Sequence, residues 1–132
     1  MQGRIEEGRA RVIAGRNYFQ ERGLMMRVGG IPLLLGPVEI LAGDLGAANR
    51  EYSSGIGVLR GIGETGVLST LAAEHSGVLY RLGRRDEMEA ALLLARENGA
   101  PNDIATQAEW RWVAAKVASD DGRMDEAERL VA

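Results

Sequence analysis

Glycine recurs along this chain at an interval close to forty residues. Gly3, Gly43, Gly83 and Gly122 stand 40, 40 and 39 residues apart. They open four similar stretches: GRIEEGRARV, GDLGAANREY, GRRDEMEAAL and GRMDEAERLV. Self-similarity at a fixed period of this size is typical of solenoids, in which each unit buries its apolar face only against its neighbours. The period therefore predicts a repeat architecture.

Within one period the apolar residues have helical spacing. After Gly66 they recur at three- and four-residue steps, as Leu68, Leu71, Ala72, His75, Val78, Leu79 and Leu82. Gly83 ends this helix, and RDEMEAALLLAREN begins a second with acids in its first turn. Pro101, Asn102 and Asp103 then form a start signal for a third helix, IATQAEWRWVAAKVAS. Each period is predicted to be a helical hairpin, named here helix A, turn and helix B.

The fold class that follows is all-α, an α-α superhelix of TPR-like hairpins in which residues 1–132 form one domain. The weakest helix is the helix A of residues 24–42, which three glycines and two prolines interrupt. A proline inside a helix removes a backbone hydrogen bond and clashes with the preceding turn. We expect a kink or a break near Pro37.

Composition excludes several classes of function. The chain has no cysteine, which removes disulfides, thiolate chemistry and sulfur-ligated zinc. Its net charge of -3 comes from charges scattered along the whole chain, which gives no basic stripe for nucleic acid. No apolar run is long enough to cross a bilayer, and no signal peptide is recognisable. We expect a cytoplasmic location and no membrane partner.

One glycine motif is typical of a different class of protein, the dinucleotide-binding domains. Gly61, Gly63 and Gly66 have the spacing G-x-G-x-x-G, and Asp86 follows twenty residues later, as in dinucleotide-binding turns. That reading needs a strand before the glycines, and the sequence there is a poor strand. Gly63 also lies twenty residues after Gly43, where helix B meets the next helix A. The repeat therefore predicts that Gly63 closes a helix in the left-handed conformation and contacts no phosphate.

Few residues suit catalysis, and we predict no catalytic, cofactor-binding or metal-binding residue. His75 is the only histidine and falls on an apolar helix face, which favours a packed, hydrogen-bonded side chain. Glu74, Asp120 and Asp121 offer carboxylates, but acid–base work needs two of them held across a pocket. The adjacent Asp120 and Asp121 are better explained as a solvated turn.

Two short segments are candidates for a partner surface. Trp110 and Trp112 lie two residues apart on a helix and point to different sides. Trp110 shares the face of the core valines, whereas Trp112 is predicted to be exposed. Tryptophan and arginine are common in contact hot spots, which selects Arg111 and Trp112. Met26 and Arg27 are a second candidate, because methionine adapts to varied ligands.

The stretches LAGDLGAANREY, GVLYRLGRRDEMEAAL and APNDIATQAEWRWVAAKVASDDGRMDEAERLV resemble the tetratricopeptide-like C-terminal repeats of large bacterial ATPases. Many of these also carry an adenylate/guanylate cyclase domain. The resemblance covers nearly the whole chain and is strongest over residues 66–132. It implies a superhelix used for protein contact or for regulating attached domains. It brings no catalysis, because the chain has no G-x-x-x-x-G-K-[ST] loop and its only lysine is Lys116.

The leading hypothesis is thus a non-enzymatic repeat module within a larger ATPase/cyclase-type or transcription-regulatory protein. It contacts a protein partner or other domains of the same polypeptide. The chain starts without a preceding helix A and stops ten residues after Gly122. We therefore expect a fragment of a longer solenoid, or self-association through uncovered ends. Two alternatives stay open: a nucleotide-binding domain built on Gly61 to Gly66, and a helical domain that binds a small effector.

Overall fold

The computed structural model describes residues 2–132, and every regular element within them is an α-helix. The prediction of an all-α chain is confirmed. The helices are α1 (Gln2–Glu21), α2 (Met25–Gly30), α3 (Pro32–Leu41), α4 (Leu45–Gly61), α5 (Gly66–Arg81), α6 (Arg85–Asn98), α7 (Ile104–Asp120) and α8 (Met124–Val131). None of these helices combines the length and the apolar character that crossing a bilayer requires.

Five glycines reverse the chain between helices. All five have a positive φ, between 68° and 77°: Gly23, Gly43, Gly63, Gly83 and Gly122. At Gly83, for example, the glycine N–H donates to the Tyr80 carbonyl at 3.1 Å, and the next N–H donates to the Leu79 carbonyl at 3.0 Å. This pair of hydrogen bonds is the Schellman motif, which requires a left-handed residue. Gly63 closes α4 in the left-handed conformation, as predicted.

The first repeat copy does not follow this pattern. Gly3 lies inside α1 and has no positive φ, because residues 2–21 form one helix without a chain reversal. The turn predicted at Gly3 is therefore absent, whereas those at Gly43, Gly83 and Gly122 are present.

The interruption in residues 24–42 lies earlier than predicted. The helix breaks at Ile31, between α2 and α3, and Pro37 lies inside α3. The prediction of a break near Pro37 was wrong. Pro32 occupies the first turn of α3, where a missing N–H costs nothing, so the helix restarts there. Pro37 is exposed, and α3 continues through it.

Glycines in this region serve close packing. A Cβ atom on Gly55 of α4 would lie 2.6 Å from Cγ of Pro32 and 2.8 Å from the carbonyl oxygen of Gly29. Gly29 in turn packs against the side chain of Leu59, and Gly36 packs against the ring of Tyr52. The missing side chains let α2 and α3 cross α4 closely, which offsets the helix propensity that glycine loses.

Helices α5 and α7, which are the helices A of two successive hairpins, run parallel to each other. Near their N-termini the Thr70 and Thr106 hydroxyl oxygens are 2.9 Å apart, and near their C-termini the Tyr80 hydroxyl donates to Asp120 at 2.6 Å. These contacts at both ends show that α5 and α7 have the same direction. Between them in sequence, α6 returns antiparallel. The side chain of Asp103 caps α7 by accepting from the Thr106 N–H, as the start signal predicted.

Candidate functional site

A groove of about 410 Å³ lies between the parallel helices α5 and α7, with α3 and α4 along one side. We call it the central groove. Four charged side chains line it: Glu74 and Arg81 from α5, and Glu109 and Lys116 from α7. Its remaining walls are aromatic or apolar and come from Pro37, Ile40, Tyr52, Val78, Trp112 and Val113.

Tyr52 and Glu74 form the polar part of the groove floor. The Tyr52 side chain is 1% exposed, and its hydroxyl donates to Oε2 of Glu74 at 2.8 Å. Burial and the charge of Glu74 raise the pKa of Tyr52 far above its usual value. Burial also raises the pKa of Glu74, and the nearby charge of Glu109 adds to this effect, against the opposing hydrogen bond from Tyr52. The carboxylate of Glu74 is thus held in a site that disfavours negative charge.

Glu109 brings a second carboxylate to the same end of the groove. Its Oε1 atom lies 3.6 Å from the position that a Cβ atom on Gly77 would occupy, one turn along α5 from Glu74. The missing side chain of Gly77 leaves the space that this carboxylate faces. Within residues 2–132 neither Glu74 nor Glu109 forms an ion pair.

The basic residues of the groove lie two helical turns further along the same helices. Arg81 and Lys116 each follow their glutamate by seven residues. The Lys116 ammonium lies 5.3 Å from the ring centre of Trp112 and 5.7 Å from that of Tyr80, within cation–π range. In the described part of the chain, neither basic group pairs with a carboxylate. The central groove is therefore acidic at one end and basic at the other.

His75 is packed and hydrogen-bonded, as predicted, and does not line the central groove. Its side chain is 8% exposed, and Nε2 lies 2.6 Å from Oδ1 of Asn49. The ring stacks on Tyr52 with a centroid distance of 5.9 Å. Burial lowers the pKa of His75 to about 4, so the ring is neutral at physiological pH.

Asp120 and Asp121 are exposed, in agreement with a solvated turn. They also tie neighbouring units together, which the sequence did not indicate. Asp120 accepts from Tyr80, and Asp121 receives two hydrogen bonds from Arg85, at 2.9 and 2.7 Å. The guanidinium groups of Arg85 and Arg123 hold the pKa of Asp121 well below its usual range. Neither aspartate joins Glu74, and the carboxylate that does approach it is Glu109.

The Gly61 to Gly66 segment is a junction between two helices. Gly61 ends α4, so a helix occupies the place where a dinucleotide-binding fingerprint requires a strand. Glu64 folds back over the start of α5, where its two carboxylate oxygens accept from the N–H groups of Val67 and Leu68, each at 3.0 Å. An anionic side chain of the protein thus occupies the helix N-terminus to which the fingerprint assigns a pyrophosphate.

The structure separates the two candidate partner segments. Trp110 is 9% exposed and belongs to the core, whereas Trp112 is 55% exposed, as predicted. Arg111 is also exposed and, with Trp112, lines a groove of about 450 Å³ between α7 and α8. Met26, 55% exposed, and Arg27 lie on α2, which packs against α1, α3 and α4 and not against α7. Met26 and Arg27 therefore do not contribute to either groove.

Sequence reasoning missed the four charged residues of the central groove as a set. The signal is present in two segments of equal spacing, EHSGVLYR at 74–81 and EWRWVAAK at 109–116. In both, a glutamate precedes a basic residue by seven positions. The turns repeat every 39 or 40 residues but these segments lie 35 apart, so aligning the chain on its turn glycines hides the match.

Comparison of the chain with family models, curated proteins and solved structures finds no match in any of the three. Within residues 2–132, no three histidine, aspartate or glutamate side chains come close enough to form a metal-binding group. The central groove, with its aromatic edge and its separated charges, is the candidate functional site.

Proposed function

We propose that this chain is a non-enzymatic, tetratricopeptide-like helical-repeat module that binds a polypeptide in its central groove. The bound polypeptide belongs to a separate protein or to another domain of the same protein, in keeping with the resemblance to repeats of large bacterial ATPases and cyclase-type regulators. Any ATPase or cyclase activity belongs to domains outside these 132 residues.

The observation that carries the proposal is the groove formed between two parallel helices from successive hairpins. It offers about 410 Å³, a half-exposed tryptophan at its edge and apolar walls with a few charged groups. Large aromatic side chains beside a concave apolar surface are typical of protein contact sites. The one hydroxyl group among the residues that line it, that of Tyr52, is 1% exposed and is hydrogen-bonded to Glu74.

Photo-crosslinking from Trp112 tests this function. A benzoylphenylalanine at position 112 in the intact protein, expressed in its native cells, is expected to give a discrete polypeptide adduct on irradiation. Leu93 on α6 provides the matched control, because it is 52% exposed and lines neither groove. Absence of any polypeptide adduct at position 112, or identical adducts at both positions, would contradict the proposal and favour a small-molecule effector.

A further inference from the structure

We infer that the central groove selects a partner segment that presents a basic and an acidic side chain on one side, about 10 Å apart. The basic group lies between Glu74 and Glu109, and the acidic group faces Arg81 and Lys116. This inference rests on the proposed function and adds the chemistry of the occupant.

None of the four groove charges has an ion-pair partner in the described part of the chain. The described residues form eight ion pairs, and none of them involves a charged side chain of the central groove. Glu74 and Glu109 meet at one end, where Tyr52 donates a hydrogen bond to Glu74. Two carboxylates held together without a cation are stabilised by any ammonium or guanidinium group that enters between them.

The spacing of the four charges along α5 and α7 sets the dimensions of the occupant. Seven residues separate Glu74 from Arg81 on α5, and the same number separates Glu109 from Lys116 on α7. At about 1.5 Å per helical residue, the acidic and basic ends are about 10 Å apart. The groove charges cannot neutralise one another across this distance, because an ion pair needs contact within about 4 Å.

The size of the groove favours one conformation of the occupant. A helix is about 10–12 Å across with its side chains, so most of a two-turn helix would stand outside a groove of about 410 Å³. A single polyproline II segment is narrower. It has three residues per turn and rises about 3.1 Å per residue, so residues i and i+3 point the same way about 9 Å apart. Such a segment fits the charge spacing, and its apolar middle packs on the Trp112 side of the groove.

Stiff model peptides test the inference. The probe is the capped tetrapeptide lysine-proline-proline-glutamate, whose two prolines preset the polyproline II conformation. The controls replace its lysine by glutamate or its glutamate by lysine, so that each mismatches one end of the groove. Binding is followed by NMR through the indole N–H signals of Trp112, which lines the groove, and of the buried Trp110.

The mixed-charge peptide is expected to shift the Trp112 signal but not the Trp110 signal, and to bind about fivefold more tightly than either control. Glu109→Lys is expected to abolish the tighter binding of the mixed-charge peptide relative to the control with two glutamates. Lys116→Glu is expected to abolish its tighter binding relative to the control with two lysines. Both positions are exposed. Glu97→Lys on α6 is the matched control for Glu109→Lys, because it makes the same charge change on an exposed residue outside the groove.

Equal affinity for the three peptides, charge-swap effects no larger than that of Glu97→Lys, or no Trp112 shift at millimolar peptide would each overturn the inference. The photo-crosslinking result judges the binding function separately. A polypeptide adduct at position 112 together with charge-independent peptide binding leaves the function standing and removes the charge selectivity.

Discussion

Two glycines of the same helix, Gly55 and Gly57, are expected to respond oppositely to replacement by alanine. In a helix interior alanine is favoured over glycine by about 1 kcal/mol, chiefly because it loses less backbone entropy. A Cβ atom at Gly57 would meet no other atom within 4 Å, apart from the backbone of its own helix. Gly57→Ala should therefore stabilise the protein by about 0.5–1 kcal/mol.

At Gly55 the same change meets the neighbouring helices. Its Cβ would lie 2.6 Å from a ring carbon of Pro32, 2.8 Å from the carbonyl oxygen of Gly29 and 3.0 Å from Cδ1 of Leu71. Carbon contacts are favourable only near 3.5–4.0 Å, so α4 would have to move away by about 1 Å. The ring and the backbone cannot rotate aside. Overpacking of this kind costs about 1–3 kcal/mol, and three contacts this short place Gly55→Ala at the upper end. After a propensity gain of about 1 kcal/mol, we expect a net loss of about 2 kcal/mol.

Thermal unfolding followed by far-ultraviolet circular dichroism measures both effects. For a chain of this length, 1 kcal/mol corresponds to a shift in Tm of about 4 °C. Gly57→Ala should raise Tm by about 2–4 °C, and Gly55→Ala should lower it by about 8 °C. If Gly55→Ala melts at or above the temperature of Gly57→Ala, α2 and α3 do not cross α4 as closely as described.

Three further predictions concern titrating and paired groups. Because burial lowers the pKa of His75 from 6.5 to about 4, stability present above pH 6.5 is lost as the pH falls toward 4. His75→Gln should remove up to about 3 kcal/mol of this acid-induced loss in the free energy of unfolding, as measured by urea unfolding at several pH values. A variant with the same pH profile as the wild type would refute this. The pKa of Glu74 is raised, so its ionised form opposes folding at neutral pH. Glu74→Gln should therefore raise Tm at neutral pH but not in acid. An equal gain in Tm at both pH values would contradict this. Arg9→Met should lower Tm more than Arg11→Met, because Arg9 pairs with Glu39, which is only 6% exposed, whereas Arg11 makes an exposed pair. Equal changes in Tm would contradict this.

The turns could be predicted from sequence because their cause is local. Gly63 and Gly83 occupy positions where the backbone must adopt a positive φ, and glycine does so without steric cost. The helix between them follows from its own apolar spacing, and the start of α7 follows from the short side chain of Asp103. Each of these features depends on a few neighbouring residues, so one sequence is sufficient to find it.

The break in residues 24–42 depends on a different helix, and it was misplaced for that reason. Considered alone, Gly29, Gly36 and Pro37 all weaken a helix. In the structure Gly29 and Gly36 are contact points for Leu59 and Tyr52 of α4, and Pro37 is tolerated on an exposed face. Which glycine permits a close crossing is decided by a partner that lies more than fifteen residues away in sequence.

The central groove was missed because its register differs from the period of the repeat. The turns at Gly83 and Gly122 are 39 residues apart, which would place Glu109 beside Thr70. The contacts along the facing sides of α5 and α7 instead have an offset of 36 residues, as between Thr70 and Thr106 and between Gly77 and Val113. The difference is close to one helical turn of 3.6 residues, so the neighbouring helices A are staggered by a turn. That stagger moves Glu109 toward Glu74 and Lys116 toward Arg81, and it turns two scattered charge pairs into the acidic and basic ends of one groove.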